Sequence, residues 1–140
     1  MKVLIDTNVI LDVILKRQPF YDFSAKVLEL ADKGVEEYIS ASAVTDIFYL
    51  AYRDLKDRDK VIGLMKDVLE ISKIISVSEK EIFNAFDLNW KDFEDAVQYS
   101  AALSNGIDII VTRNMKGFSQ AEVKICTPEE VIQFIDTKEN

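Results

Sequence analysis

Two hydrophobic periodicities alternate along the chain. Short continuous apolar runs are typical of strands buried on both faces, and apolar positions three or four residues apart are typical of helices with one buried stripe. The runs predict five strands, at residues 2–6, 37–40, 73–77, 109–111 and 123–125. The helical spacing predicts helices from near residue 8, over 22–33, 42–55, 57–70, 78–86 and 92–105, and from residue 127.

Capping residues support several of these boundaries. Gly34 stands where a helix C-cap belongs, and Ser78 with Glu81 forms a capping-box pattern. Thr127 and Pro128 then occupy the N-cap and first positions of the last helix. Strands that alternate with helices predict an α/β fold, in which helices cover both faces of a parallel sheet.

Composition narrows both the fold and the function. With 140 residues and 49% apolar side chains, the chain is predicted to be a single domain over 1–140 with a sizeable core. The net charge of −8 argues against a broad electrostatic grip on nucleic acid, although not against a local one. The start of the chain lacks signal-peptide features, and no apolar run reaches the ~18 residues of a membrane span. We therefore expect a cytoplasmic protein.

The missing residue types restrict the chemistry further. The absence of histidine removes the usual general base and imidazole ligand, and the single Cys126 excludes an intramolecular disulfide or a thiolate zinc site. Four scattered glycines form no nucleotide-binding loop. Carboxylates, amides, hydroxyls, lysine and arginine remain, and the oxygen groups among them suit a hard cation such as Mg²⁺ or Mn²⁺.

Several polar residues are expected at one edge of the sheet, because ligands of such sheets bind beyond the carboxyl ends of the strands. The N-terminus of a helix that leads into a parallel strand lies at that same edge. The residues placed there are Asp6 after the first strand, Asp46 early in the next long helix, Asp92, Glu94 and Asp95 at the start of a later helix, and Thr112, Arg113 and Asn114 after the fourth strand.

Each position also has a simpler interpretation. Asp6 could only cap the following helix, and Asp46 could pair with Arg53 on the helix surface. The acids at 92–95 could complement a helix N-terminus, which is worth ~0.3–1 kcal/mol for each charge, and residues 112–114 could be an ordinary turn. Asp12 is expected on the surface or in support of Asp6.

The combination is harder to explain in this way. Carboxylates from three distant segments would repel one another at a shared edge unless a cation lay between them. A bound Mg²⁺ would remove the repulsion and attract a phosphate oxygen. This arrangement is typical of metal-assisted phosphodiester hydrolysis, in which the cation activates a water and stabilises charge on the phosphate.

Four segments carry a resemblance to a known family. VLIDTNVILD, ISASAVTDIFYLAYR, KDFEDAVQYSAA and IIVTRNMKGF occur in the order and spacing of the PIN-domain family, which includes the ribonuclease toxins of toxin–antitoxin pairs. The similarity covers nearly the whole chain. It implies a three-layer α/β/α sandwich on a central parallel sheet of about five strands, and a Mg²⁺- or Mn²⁺-dependent endoribonuclease.

The resemblance also implies roles for individual residues. Its motifs assign Asp6, Asp46 and Asp95 as metal ligands and catalytic residues, and Asn114 as a further catalytic residue. Supporting or substrate-binding positions are Thr7, Asn8, Asp92 and Arg113, and Asn8 is expected to orient Asp6 by a hydrogen bond. Other implied partners are RNA as substrate, a small antitoxin protein and a second copy of the chain.

One position departs from the family pattern. Gly117 stands where relatives usually carry a last carboxylate, which removes a ligand for a second metal ion. A catalytically degenerate domain that binds RNA or protein therefore stays open as an alternative. A second alternative is a phosphatase in which Asp6 is the nucleophile, although that chemistry usually has an aspartate where this chain has Asn8.

Overall fold

Strands and helices alternate along the chain as the hydrophobic pattern predicts. The computed structural model of the protein describes residues 1–139. The strands are β1 (Lys2–Ile5), β2 (Glu36–Ser40), β3 (Lys73–Ile75), β4 (Ile109–Val111) and β5 (Lys124–Cys126). The helices are α1 (Thr7–Ile14), α2 (Tyr21–Glu29), α3 (Ala41–Leu55), α4 (Arg58–Ile71), α5 (Glu79–Leu88), α6 (Phe93–Ser104) and α7 (Pro128–Glu139), with 3-10 turns at Leu30–Lys33 and Met115–Phe118.

The five strands form one parallel sheet in the order β3-β2-β1-β4-β5. The first strand lies at the centre, where Val3 pairs with Glu37 on one side and with Ile109 on the other. All strands point the same way, so their carboxyl ends meet at one edge. The parallel sheet predicted from the sequence is confirmed.

Helices cover both faces of this sheet. Val3 and Ile5 point into a core built with α1, α2, α3, α4 and α7, whereas Leu4 points into a second core built mainly with α6. Successive side chains of a strand face opposite sides, so burial of all three requires a helical layer on each face. The α/β/α sandwich implied by the family resemblance is confirmed.

The element boundaries agree with the sequence predictions to within a few residues. The third strand ends at Ile75 rather than near residue 77, because its pairing partner β2 ends at Ser40. The predicted helix over 22–33 finishes as a 3-10 turn, and Gly34 closes it in the left-handed region at φ 85°. The capping box of Ser78 and Glu81 is present. Within residues 1–139, none of the helices has the length and apolar content needed to cross a membrane.

Candidate active site

Asp6 follows the central strand directly, and its side chain is only 4% exposed. Its Oδ1 accepts hydrogen bonds from the Thr7 backbone N–H and from Gln98 Nε2, both at 2.7 Å. Its Oδ2 accepts one from Thr112 Oγ1 at 2.7 Å and a longer one from Asn8 Nδ2 at 3.3 Å. Asp6 therefore caps α1, as the simpler interpretation expects, and also anchors a polar network that joins three elements.

Asn8 makes the predicted hydrogen bond to Asp6, and a second hydrogen bond joins it to the loop after β4. Its Oδ1 accepts a hydrogen bond from the backbone N–H of Arg113 at 3.3 Å. Gln98, which the sequence analysis missed, is completely buried and holds the other oxygen of Asp6. A signal for Gln98 exists in the sequence, since it lies three residues after Asp95 and so shares its helix face.

Asp46 on α3 and Glu94 on α6 form a pair of carboxylates between the two helices. Asp46 and Glu94 are both half-buried, and Asp46 is close enough to influence the ionisation of Glu94. Burial, together with the negative charges of Asp46 and Asp6, raises the pKa of Glu94 to about 7. Thr7 Oγ1 also donates to Glu94 Oε1 at 3.3 Å. Glu94 was absent from the predicted ligand set, and the structure brings it into contact with that set.

Asp95 lies in the first turn of α6 and is only 5% exposed. Burial raises the pKa of Asp95 to about 7, and repulsion from Asp6, Asp92 and Glu94 contributes in the same direction. Asn114 Nδ2 donates a hydrogen bond to Asp95 Oδ2 at 3.3 Å. The structure therefore brings Asp6, Asp95 and the predicted Asn114 to one edge.

The exposed Asp92 caps α6, since its carboxylate accepts a hydrogen bond from the Asp95 backbone N–H at 3.1 Å. The simpler interpretation of Asp92 as a helix cap is thus correct. Its charge still acts on the cluster, because it helps to raise the pKa of Asp95.

The glycine at position 117 is explained by close packing. A Cβ built on Gly117 would collide with Asp95 Oδ2 and would lie 2.5 Å from Asn114 Nδ2. A side chain at position 117 would therefore require the Asp95 and Asn114 side chains to move. The glycine thus lets the loop after β4 lie directly against the Asp95 carboxylate.

Asp12 and Arg113 form a buried ion pair beside the cluster. Asp12 was expected on the surface or in support of Asp6; it is fully buried, so the surface alternative is wrong. Arg113 donates to both its oxygens, from Nε at 2.7 Å and from Nη2 at 3.0 Å, and Arg17 Nε donates to Oδ1 at 3.0 Å. The Arg113 guanidinium also lies 3.8 Å from the centre of the Phe20 ring. Its side chain thus ties α1 to the loop after β4, and a contact with phosphate stays a prediction.

We define the acidic cluster as Asp6, Asp46, Glu94 and Asp95, and among the described residues no basic side chain pairs with it. Arg53 forms its ion pair with Asp54 at 3.6 Å, and no ion pair with Asp46 is present among the described residues, so the simpler interpretation of Asp46 is not supported. In the part of the chain that the structure describes, none of the four acids forms an ion pair with lysine or arginine. The cluster is therefore a site of concentrated negative charge.

The donor chemistry of the cluster fits a hard divalent cation, since all four side chains present oxygen. However, within residues 1–139 no three acidic or cysteine side chains already lie close enough together to hold a metal. The four hydrogen bonds to Asp6 also fill its four acceptor positions. Coordination by Asp6 would have to replace one of them, and the 3.3 Å bond from Asn8 is the weakest.

Comparisons with known proteins support the fold described above. A solved structure of VapBC2 from Rickettsia felis, bound to a DNA fragment from its promoter, is similar with a TM-score of 0.71 and 23% identity over 90% of this chain and 97% of the other. The Mycobacterium tuberculosis toxin VapC20, described as cleaving the sarcin–ricin loop, has a TM-score of 0.70 and 11% identity over 84% and 94% of the two chains. At these identities the likeness shows the fold alone.

Sequence comparison goes further than the fold. Ribonuclease VapC1 from Aquifex aeolicus is 30% identical over 136 residues, which covers 92% of each chain. The sequence model of the PIN domain matches residues 2–116, and this span contains every member of the acidic cluster. The chain therefore belongs to the PIN-domain family.

Proposed function

We propose that this protein is a Mg²⁺- or Mn²⁺-dependent endoribonuclease that hydrolyses RNA phosphodiester bonds, and that it is the toxin of a toxin–antitoxin pair. The observation that carries the proposal is the acidic cluster, in which burial, together with repulsion between the neighbouring acids, raises the pKa of both Glu94 and Asp95 to about 7. Repulsion of this kind is relieved by a cation. The 30% identity to a protein named as a ribonuclease supports RNA as the substrate.

Each residue of the site has a distinct task in this proposal. Asp6, Asp46 and Asp95 would hold the cation, and Glu94 would join them. A divalent cation there supplies positive charge that favours deprotonation of a water and stabilises the phosphate as the water attacks.

Polar residues around the site orient its carboxylates through hydrogen bonds. Gln98 and Thr112 hold the Asp6 carboxylate in one orientation through 2.7 Å hydrogen bonds. Asn114 is exposed and donates one N–H to Asp95, so its second N–H is available to a phosphate oxygen.

Asp46→Asn is the sharpest test of the proposal. Asp46 is half-buried and none of the polar bonds that hold Asp6 involves it, so the amide removes the charge with little effect on folding. We expect Mn²⁺-dependent cleavage of single-stranded RNA by the wild type and a loss of about 100-fold or more in the variant. Asp54→Asn, an exposed change on the same helix, is the matched control and should leave cleavage intact. Equal cleavage by all three proteins would refute the proposal.

Asp6→Asn is a less clear test because the amide cannot accept all four present hydrogen bonds. Its –NH₂ group would face donors such as Gln98 or Thr112, so this variant loses stability as well as charge. Cleavage by Asp6→Asn should therefore be compared with the wild type only after urea unfolding has shown the variant to be folded.

The two alternatives make different predictions. A degenerate domain would show no Mn²⁺ binding by calorimetry at millimolar concentration, but the tight packing around Gly117 gives a structural reason for its missing acid other than decay. A phosphatase needs Asp6 as a nucleophile, and a carboxylate that already accepts four hydrogen bonds is poorly suited to attack. Formation of a covalent phosphate adduct on Asp6 would revive that alternative.

The proposed antitoxin and self-association also have direct tests. Structural neighbours such as the Rickettsia felis VapBC2 complex support a protein partner. Expression of the wild type is expected to arrest growth, whereas expression of Asp46→Asn should not, and co-expression of a cognate small protein should relieve the arrest. Light scattering of the purified chain tests the proposed homodimer, and a monomer at micromolar concentration would contradict it.

A further inference from the structure

An open cavity of about 590 Å³ adjoins the acidic cluster. Trp90, Lys91 and Phe93 line one side of it, and Asn114, Lys116 and Gly117 line the other. Asn114 donates to Asp95, and Gly117 lies against the same carboxylate, so the cavity and the cluster are continuous. Its volume lies within the roughly 300–1,000 Å³ that is usual for small-ligand sites.

Two aromatic rings that line the cavity each stack on a neighbouring ring. Trp90 stacks on Tyr99 with ring centres 4.8 Å apart and an angle of 20° between the planes. Phe93 stacks on Phe86 at 5.0 Å and 23°, and yet 44% of Phe93 is exposed. Phe86 is itself 58% exposed, so Phe93 and Phe86 form an exposed aromatic pair beside the cavity. Exposed aromatic rings are suited to stack against a flat ligand such as a nucleobase.

Among the residues that line the cavity, two lysines outnumber one acid. Lys91 and Lys116 are exposed and approach the cavity from different segments, one before α6 and one after β4. Asp92 is a single acid among the lining residues. A chain with net charge −8 cannot attract RNA by its overall field, so a local pair of cations next to aromatic rings is the feature that fits a nucleotide.

We propose that this cavity binds a nucleotide of single-stranded RNA adjacent to the phosphate that is cleaved. The base stacks on Phe93, and Lys91 and Lys116 contact the flanking phosphates. The assignment rests on the proposed ribonuclease function, and it adds the position of a specific binding subsite.

Trp90 makes the subsite directly measurable, because it is the only tryptophan in the chain and it lines the cavity. Its fluorescence can be titrated with oligouridylate of about ten nucleotides, in a chelator so that no cleavage occurs. An abasic ribose-phosphate strand of equal length is the parallel probe. We expect saturable quenching by oligouridylate, and at least about fivefold weaker binding of the abasic strand.

Phe93→Leu tests the stacking contact while keeping an apolar side chain. We expect about fivefold weaker binding of oligouridylate and no further loss for the abasic strand. Phe23→Leu is the matched control, since Phe23 is 40% exposed, lies on α2 and does not line the cavity. Equal weakening by the two changes would overturn the assignment, and so would unchanged binding by Phe93→Leu.

Lys91→Gln and Lys116→Gln test the phosphate contacts through the salt dependence of binding. Each phosphate contact to a single strand contributes a slope of about −0.7 to log K against log salt. We expect each change to make the slope less steep by about that amount, whereas Lys66→Gln, an exposed control on α4, should leave it unchanged. Slopes that are identical in all four proteins would overturn the assignment.

These binding results are independent of cleavage. If the wild type cleaves RNA and Phe93→Leu binds as tightly as the wild type, the subsite is wrong and the ribonuclease proposal survives. If Asp46→Asn cleaves as well as the wild type but the cavity variants still weaken binding, the subsite survives and the catalytic proposal fails. Conversion of a dimer to a monomer by Phe93→Leu with unchanged binding would assign the cavity to a contact between two copies instead.

Discussion

Glu37 gives a sharp test of how burial controls the stability of this fold. It lies near the start of β2, is 2% exposed, and neither carboxylate oxygen has a partner in hydrogen-bonding geometry. Burial raises the pKa of Glu37 from 4.5 to about 8, and the charge of Asp32 adds to the increase, while the backbone of Ala31 offsets only part of it. At neutral pH the folded protein therefore holds this carboxyl mainly in its protonated form.

The sign of the pH effect follows from this pKa difference. The unfolded chain ionises Glu37 above pH 4.5, whereas the folded chain does so only above about 8. The contribution of Glu37 to the free energy of unfolding is therefore greatest below pH 4.5, falls as the pH rises, and stops falling above about 8. At about 1.4 kcal/mol for each pH unit, the loss between roughly pH 5.5 and 9 is about 3 kcal/mol.

Glu37→Gln removes the ionisation and nearly preserves the shape. The free energy of unfolding of both proteins should be measured by urea titration at about pH 5.5 and 9. Other groups titrate in both proteins, so the difference between the proteins isolates Glu37. We expect this difference to grow in favour of the variant by about 3 kcal/mol. A difference that changes by less than about 0.5 kcal/mol would refute the reasoning, because the folded carboxyl would then titrate normally.

Three further outcomes concern the site. Thr112→Val deletes the 2.7 Å hydrogen bond to Asp6, and we expect a loss of about 1–3 kcal/mol in urea unfolding, which Thr112→Ser should largely restore. Gly117→Ala places a Cβ against the Asp95 carboxylate and should lower Mn²⁺-dependent cleavage by up to roughly 100-fold; full activity would show that the loop tolerates a side chain. Mn²⁺ should raise the melting temperature more at about pH 8 than at about 5.5, because Glu94 and Asp95, with pKa near 7, must be deprotonated to bind it; an equal shift would contradict this.

Without a bound metal, Glu94 and Asp95 make the folded protein less stable as the pH rises. Their pKa is raised from 4.5 for Glu94 and from 3.8 for Asp95 to about 7 in the folded protein. Their contribution to stability therefore declines as the pH rises from these ordinary values to about 7, and a bound cation opposes the decline.

The alternation of strands and helices was readable from the sequence alone. Hydrophobic periodicity is a local property, because it depends only on whether neighbouring side chains point to the same side of an element. Caps are local as well, and those at Gly34, Ser78 and Thr127 lie where the sequence predicts them. The parallel sheet follows from the alternation, so the shared edge at Asp6, Asp46 and Asp95 could also be predicted.

Contacts between distant segments were decided only by the tertiary structure. For Asp12 the sequence left a surface position and a supporting role open, and only the packing of helix α1 shows that Asp12 is buried against Arg113, about a hundred residues away. The sequence also could not show that Gln98 reaches Asp6 or that Glu94 meets Asp46. These contacts depend on the rotation of one helix against another, which no local pattern specifies.

Gly117 also shows the difference between what the sequence determines and what the tertiary structure determines. The sequence determined that this position has no ligating group, and from the sequence alone that absence suggested an incomplete site. The tertiary structure decided that the loop after β4 closes directly over Asp95 there, with no room for a Cβ. The physical reason is that a residue's chemistry is written in the sequence, whereas the space around it is set by segments that meet only when the chain folds.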